Sequence, residues 1–370
     1  MFIHRTMKPT IMLGILALAA GTAGTVGAPT LAGAADFSGK KIQLITPYRE
    51  GGGTDTYARL FAPYLAKHLP GKPVILVKNL PGGGSIKGSN KFEASAKPDG
   101  LMFVATSTST MVSQVFGGDK RKFNMLKWRQ IMVSPRGTII YTSPSTGAKG
   151  KDAAADIKAM RGKKLLYGGK KANAGELRTI VAFEVLGLDV QSVFGLSRGN
   201  ARKAFMRGEL NLSHDTAGTY FKKVEKLVKQ GKAVPLFTLG FPNGKGKIGR
   251  DPAFPNLPHL AEVYEKLNGK KPSGAMWGAS KSLFAMGVAA SKGFALPKGT
   301  PDDVYNAYLK AAKDTLKDKK FQKKAKKMLG NYPQLFGEDA QDAVKEAVDL
   351  SPEINKWFKD FLKNKFNVKV

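Results

Sequence analysis

Two glycine-rich turns contain the residues of this chain that are best suited to chemistry. The first lies in "PYREGGGTDTYARL" (residues 47–60) and the second in "PGGGS" (residues 81–85). A glycine N–H group has no side chain beside it, and the first N–H groups of a helix carry a partial positive charge, so each turn can bind an anion. The pair predicts a site for a carboxylate or a phosphate, with plain tight turns as the alternative.

The elements around these turns alternate between short apolar runs and helix-like segments. Strand-like runs occupy residues 41–48, 72–80 and 101–107, of which 72–80 is predicted to be a buried strand, and the alternation resumes from residue 163. This order is typical of parallel βαβ units, in which both glycine turns would lie at the carboxyl ends of strands, where ligands bind. The fold class is therefore predicted to be α/β, with a helical C-terminal third.

Motifs for catalysis, metals and cofactors are weak or absent. The chain has no cysteine, no H-E-x-x-H pair and no nucleotide-binding glycine motif. "GLSRG" (195–199) has the G-x-S-x-G form of a serine hydrolase, and His214, Asp251 and His259 follow it. Three fixed positions are a weak signal in a chain with 42 glycines. No catalytic residue, metal or cofactor is predicted, and an esterase that uses Ser197 is kept as an alternative.

The N-terminus has the pattern of a cleavable secretory signal peptide. Arg5 and Lys8 precede the apolar residues 11–20, and Ala32-Gly33-Ala34 forms a small-residue cleavage pattern. The apolar run is shorter than the roughly 20 residues that a membrane span needs. Because the chain has no cysteine, a lipid anchor on that residue is excluded. We predict that residues 1–34 are the signal peptide, cleaved after Ala34, and that the mature protein is exported and soluble; the family resemblance described below implies the periplasm.

The mature chain is strongly basic. The formal net charge is +32, and the loss of Arg5 and Lys8 with the signal peptide leaves +30. Such a charge favours anionic partners, which include small acids and polyanions. The lysines between 310 and 327 are predicted to form a solvated helix face, because few aromatic residues lie among them to stack on bases. Nucleic-acid binding is therefore not expected, and a basic polyanion-binding protein is the alternative function.

Several segments together resemble one family. "PYREGGGTD" matches P-x-x-x-G-G-x-x-D, the first signature of the TctC or Bug family, which comprises the periplasmic solute-binding proteins of tripartite tricarboxylate transporters. "NLPGGGSIKGSNKFEASAKPDGLMF" resembles the second signature, N-x-P-G-A-G-[GS] followed by K-P-D-G. "FPNLPHLAEVYE" and "GVAASKGFALPKGTPDDVYNAYLKAAKDTL" resemble later family segments, so the resemblance covers nearly the whole mature chain.

The resemblance implies a fold and a function. The implied fold is a type II periplasmic-binding-protein clamshell, in which two α/β domains joined by crossover strands close on a ligand. In this chain, domain 1 would be discontinuous and comprise residues 35–137 and 278–370, and domain 2 would comprise residues 138–277. The implied function is non-catalytic: a monomeric receptor captures a small organic carboxylate and delivers it to integral-membrane transporter subunits.

The predicted ligand site combines both glycine turns with parts of domain 2. By resemblance, Asp55 is expected to cap the first helix, and Asp215 is expected to face the cleft. Asn173 and Glu176 have the spacing of a capping box, so a helix is predicted to begin at Asn173. Two lysines just before that helix would bind a second carboxylate, which predicts a dicarboxylate as the ligand. The predicted set is Tyr48, Arg49, Gly51, Gly52, Gly53, Thr54, Asp55, Gly82, Gly83, Gly84, Ser85, Lys170, Lys171, Asn173 and Asp215.

Overall fold

The computed structural model describes residues 35–243 and 247–369. The predicted signal peptide and its cleavage site after Ala34 lie outside these residues. The strands, in chain order, are β1 (Lys41–Thr46), β2 (Val74–Asn79), β3 (Met102–Ser107), β4 (Arg129–Ser134), β5 (Thr138–Thr142), β6 (Leu165–Gly168), β7 (Val190–Val193), β8 (Leu212–Thr216), β9 (Val234–Thr238), β10 (Phe241–Pro242), β11 (Ile248–Gly249), β12 (Lys292–Leu296) and β13 (Leu335–Phe336).

The α-helices connect these strands and form the C-terminal third, as the sequence predicts. In chain order they are α1 (Gly53–His68), α2 (Ile86–Ser95), α3 (Thr108–Phe116), α4 (Ala153–Met160), α5 (Leu177–Val185), α6 (Arg198–Met206), α7 (Ala217–Lys223), α8 (Glu225–Lys229), α9 (Leu260–Asn268), α10 (Gly274–Phe284), α11 (Asp302–Lys317), α12 (Lys319–Leu329), α13 (Gly337–Val348) and α14 (Pro352–Phe366).

The strands form two separate large sheets, and β10 pairs with β11 in a small hairpin. The first sheet has the order β13-β4-β12-β3-β1-β2, and the second has the order β7-β6-β8-β5-β9. β1 runs parallel to β2 and β3, whereas β12 runs antiparallel to β3 and β4. The start of β12 therefore lies at the same edge as the carboxyl ends of β1 and β3. The α/β fold class is confirmed, and the exact domain boundaries stay a prediction.

α1 forms because its apolar residues recur at helical spacing and cover the first sheet. Tyr57, Phe61 and Leu65 are spaced by four residues and are buried. The ring of Tyr57 stacks on Phe294 of β12 at 4.9 Å, and Phe61 contacts Phe294 edge-on at 5.4 Å. These contacts fix the N-terminus of α1 against β12, at the sheet edge where the first glycine turn lies.

Two local predictions are wrong. The helix expected to begin at Asn173 begins at Leu177, because residues 172–176 form turns in which Leu177 N–H donates to the carbonyl of Ala174 at 3.0 Å. β2 was expected to be buried, but it is an edge strand with Val74 and Leu76 about half exposed, at 55% and 50%. A continuous apolar run indicates a strand without revealing whether a neighbour covers it.

Within the described ranges, no helix is long and apolar enough to span a membrane.

Candidate anion-binding site

The first glycine turn is held in shape by a buried carboxylate. Asp55, which is 2% exposed, accepts a hydrogen bond from Gly51 N–H at 2.9 Å. Its other oxygen accepts bonds from Arg59 Nε and Asn79 Nδ2, both at 2.9 Å. Gly52 is the N-cap of α1 and has extended backbone, so the helix begins at Gly53. The Asp55 carboxylate therefore holds the first glycine turn in this conformation.

The backbone of the same turn is exposed at two of its glycines. Gly51 and Gly53 are exposed, and Gly51 has a φ of +69°, which favours glycine. The first N–H groups of α1, at Gly53 and Thr54, have no acceptor within the helix. Arg49 is exposed. An anion cradle at these groups stays a prediction, and the exposed glycines and the free N–H groups of α1 are compatible with it.

A third turn, which the sequence analysis missed, lies beside the first. Ser107 caps α3: its hydroxyl accepts from Ser109 N–H at 3.2 Å, and the hydroxyl of Thr110 accepts from Ser107 N–H at 3.1 Å. The Tyr48 hydroxyl lies 2.6 Å from Ser107 Oγ and 2.7 Å from Thr110 Oγ1. Burial raises the pKa of Tyr48, so it stays a neutral donor. The hydroxyl-rich "STST" at the end of a predicted strand was the available signal.

The second glycine turn has positive φ at four successive residues, a conformation that strains only the non-glycine residue among them, Ser85. Gly82, Gly83 and Gly84 have φ values of +143°, +58° and +74°, and Ser85 has a φ of +108°. Ser85 occupies the N-cap position of α2, but its side chain makes no capping bond. Its hydroxyl is buried and has no partner among the described residues. A strained turn with an unpaired buried hydroxyl is typical of a functional site.

The turn between β6 and α5, which belongs to the second sheet's side of the fold, covers this edge of the first sheet. Ser109 Oγ accepts hydrogen bonds from Lys170 Nζ at 3.0 Å and from Gly175 N–H at 3.2 Å. Asn173 Nδ2 donates to the carbonyl of Phe116 at 3.2 Å. Lys171 packs so closely on Gly84 that a Cβ there would lie 2.5 Å from Lys171 Cε. Lys171 thus contacts the second turn, and Lys170 contacts the third turn.

Three buried cations near this edge were also missed. Arg178 donates to Thr108 Oγ1 at 2.9 Å and to the carbonyl of Gly287 at 2.8 Å, and burial lowers its pKa to about 10. Arg136 is 4% exposed, and Lys292 is 8% exposed. Lys292 is the one charge in "KGFAL", and Arg178 directly precedes the uncharged run "TIVAF" of α5, which was the available signal.

Comparisons with known proteins bear on the fold and on the family resemblance. No family model matches the chain. BugT of Bordetella pertussis is 35% identical over 103 residues, which cover 28% of this chain and 30% of BugT, so the match spans less than a third of that relative. The structure of the periplasmic binding protein BugD has a TM-score of 0.62 at 20% identity, and the match covers 86% of this chain and 97% of BugD.

A structure of an R. palustris protein with adipate has a TM-score of 0.64 at 18% identity, with 88% of this chain and 97% of that chain covered. The predicted resemblance to the TctC/Bug family is confirmed. The two sheets are accordingly the cores of the two α/β domains of a periplasmic-binding-protein clamshell. The TctC/Bug relatives are solute-binding proteins, a non-enzymatic family, in agreement with the predicted non-catalytic chain.

The resemblance to the TctC/Bug family predicts that Asp215 faces the cleft, but the Asp215 carboxylate has partners within the protein. It is 4% exposed and accepts two bonds from Arg202, at 2.9 Å and 2.5 Å, and one from Tyr141 OH at 2.9 Å. These bonds occupy both carboxylate oxygens. These bonds favour a structural role for the Asp215 side chain, and its contact with the ligand stays a prediction.

The residues of the hydrolase-like motif are also engaged elsewhere. Ser197 Oγ accepts from Asn200 N–H at 3.2 Å and caps α6. His214 Nδ1 pairs with Tyr167 OH at 2.7 Å, and Asp251 accepts from Tyr332 OH at 2.7 Å. These contacts give the motif a structural role and do not support the esterase alternative.

Proposed function

We propose that the protein is a periplasmic receptor that binds a small organic carboxylate between its two domains and delivers it to a tripartite tricarboxylate-type transporter. One observation carries this proposal: the hydrogen bond from Lys170 to Ser109 joins a cationic turn of one domain to the helix N-terminus of the other. A ligand enclosed there would meet the N–H groups of α1 on one side and lysines on the other. The moving bodies would be residues 35–137 with 278–370, and residues 138–277.

The proposed ligand is a dicarboxylate. One carboxylate would bind the N–H groups of the glycine turns, with Tyr48 OH as a further donor, and the second would bind Lys170 and Lys171. Lys171 carries a pKa below its usual value because of burial and the nearby cations Lys120 and Lys170, and a bound anion would offset that penalty. The R. palustris protein of similar fold was solved with adipate, which is a dicarboxylate.

A thermal-shift screen of the purified mature protein tests this proposal. Ligand at 100 times its dissociation constant stabilises a protein by about 2.7 kcal/mol, which means a shift in melting temperature of roughly several degrees for a chain of this size. Matched pairs such as adipate and hexanoate, or succinate and butyrate, separate the effect of the second carboxylate from that of chain length. We expect the diacid of each pair to give the larger shift.

A double variant, Lys170→Ala with Lys171→Ala, tests the second subsite. It should reduce the difference between diacid and monoacid while leaving monoacid binding intact. Lys319→Ala with Lys320→Ala is the matched control, because it removes the same charge from exposed positions of α12. Preference for monoacids, or an undiminished diacid preference in the double variant, would contradict the proposed second subsite.

The polyanion alternative rests on the net charge of +30, to which the exposed lysines of α12 contribute. Lys319, Lys320 and Lys323 are exposed, whereas Phe321 and Ala325 are buried, which is the pattern of a solvated helix face. Polyanion binding should weaken steeply with salt because bound counterions are released. A small ligand enclosed between domains should respond modestly, so a salt titration of any binding signal separates the two functions.

A further inference from the structure

Lys292 is a buried lysine at the first glycine turn. It is 8% exposed and begins β12, where it pairs in register with Ser107 of β3 and Ser134 of β4. Its ammonium donates to Thr54 Oγ1 at 2.9 Å, and a Cβ on Gly53 would lie 3.8 Å from it. The side chain therefore ends beside the first residues of α1, where the predicted anion cradle lies.

The surroundings of this ammonium are unfavourable to a positive charge. Among the described residues, no carboxylate lies within salt-bridge distance of Lys292 Nζ. The charged groups that act on it are the cations Arg136, Lys170 and Arg178, which lie on the segment after β4, the domain 2 turn and α5. The N-terminus of α1 adds its own partial positive charge. Burial and these cations hold the pKa of Lys292 well below its usual value.

Fold stability does not account for a lysine at this position. An apolar side chain of similar length would fill the space between Ser107 and Ser134 without the cost of burying a charge. Only one of the three ammonium donors has a partner among the described residues, and that partner is the neutral hydroxyl of Thr54. A buried cation that lacks a counter-charge, and that points to a helix N-terminus, is complementary to an anion that arrives with the ligand.

We propose that Lys292 binds a carboxylate of the ligand directly, as the counter-charge that completes the first glycine turn. This inference rests on the proposed receptor function and names the group that its first carboxylate contacts. When the ligand is bound, the carboxylate would lie between Lys292 Nζ and the N–H groups of Gly53 and Thr54.

The same arrangement specifies the charge of the ligand. Arg136 Nε and Nη2 and Arg178 Nε are buried and have no partner among the described residues. The acidic side chains that act on these cations are Glu176, which lies 3.9 Å from Lys170 Nζ, and Asp215, which is paired with Arg202. Cations therefore exceed carboxylates around the cleft, which favours a small acid with two or more negative charges over a monoanion or a zwitterion.

The first test is Lys292→Met, which keeps the length of the side chain and removes its charge. Affinities for adipate, succinate, citrate, hexanoate and butyrate are measured by calorimetry on the mature protein. We expect the dissociation constant of the acid that binds wild type most tightly to rise at least 30-fold. The unliganded melting temperature should stay the same or increase, because an unpaired buried charge is lost. Lys319→Met, at an exposed position of α12, is the control and should bind normally.

The second test keeps Lys292 in place and covers the case in which Lys292→Met fails to fold. The pKa of Lys292 lies well below its usual value in the empty protein and should rise beside a bound carboxylate, so calorimetry is run at about pH 9, below the usual lysine pKa of about 10.4. Binding should take up protons, seen as a dependence of the calorimetric heat on the ionisation enthalpy of the buffer, and the uptake should persist in the Lys170→Ala, Lys171→Ala variant, which lacks the other lysine of lowered pKa. The nearby Tyr48 and Tyr57 have raised pKa values and stay protonated at this pH.

The outcomes separate this inference from the receptor function. Tight binding of an acid that is unchanged in Lys292→Met, or that takes up no proton in wild type, overturns the role of Lys292 and leaves the receptor function standing. If wild type binds none of the five acids, the receptor function and the role of Lys292 both fail. Weakened binding in Lys292→Met together with proton uptake in wild type supports both.

Discussion

Replacement of Asp215 distinguishes a ligand contact from a structural ion pair. Asp215 is 4% exposed, and the side chain of its partner Arg202 is 15% exposed. Asp215→Ala removes two charge-assisted bonds and leaves the buried Tyr141 hydroxyl without its acceptor. Breaking a buried pair in this way costs about 3–5 kcal/mol, because the remaining charge stays buried without compensation. Asp215→Asn keeps one acceptor oxygen, so we expect a smaller loss of about 1–3 kcal/mol.

Urea denaturation followed by circular dichroism measures these losses as changes in the free energy of unfolding. Calorimetry on the same variants measures ligand affinity, which should stay within about twofold of wild type at temperatures where the variants are folded. Glu209→Ala is the matched control, because Glu209 forms an ion pair with Arg207 at 2.6 Å on the surface, with both side chains more than half exposed. It should change stability far less than Asp215→Ala.

Two results would refute this reasoning. Wild-type stability in Asp215→Ala would mean that the ion pair with Arg202 does not contribute to the fold. A large loss of ligand affinity at unchanged stability would mean that Asp215 contacts the ligand after all, as the family resemblance first indicated.

Three further predictions test other parts of the molecule. Gly83→Val should abolish ligand binding at a stability cost of about 1–2 kcal/mol, because its φ of +58° strains any branched side chain; normal affinity would remove the second glycine turn from the site. Ser197→Ala should lose about 0.5–2 kcal/mol of stability through the lost α6 cap, and ester hydrolysis that disappears in this variant would revive the enzyme alternative. Burial and Arg198 hold the pKa of His214 well below 6.5, so the unfolded chain binds the extra proton. Stability should therefore be complete above about pH 6.5 and decline as the pH falls below it, and His214→Gln should flatten the urea-denaturation profile from pH 7 to 5.

Much of the fold could be predicted because it depends on local patterns. The spacing of Tyr57, Phe61 and Leu65 indicates a helix with one buried face, and the structure has that helix against the first sheet. The glycine turns could be located because only glycine adopts positive φ without strain, as at Gly51 and Gly84. The predicted helix start at Asn173 was wrong. A capping-box pattern shows only that two side chains could cap a helix, whereas contacts across the cleft hold this segment as a turn.

By itself, the sequence determined the alternation of strands and helices, the two glycine turns and the resemblance to the TctC/Bug family, because each is a property of neighbouring residues. Only the tertiary structure decided which charges meet. It paired Asp215 with Arg202, thirteen residues away, and it brought Lys292 to Thr54, 238 residues away. The physical reason is that a side chain's partner depends on which strand ends share a sheet edge, and the order β12-β3-β1 arises from packing across the whole chain. A lysine that looks ordinary in the sequence becomes a buried cation only when that edge forms.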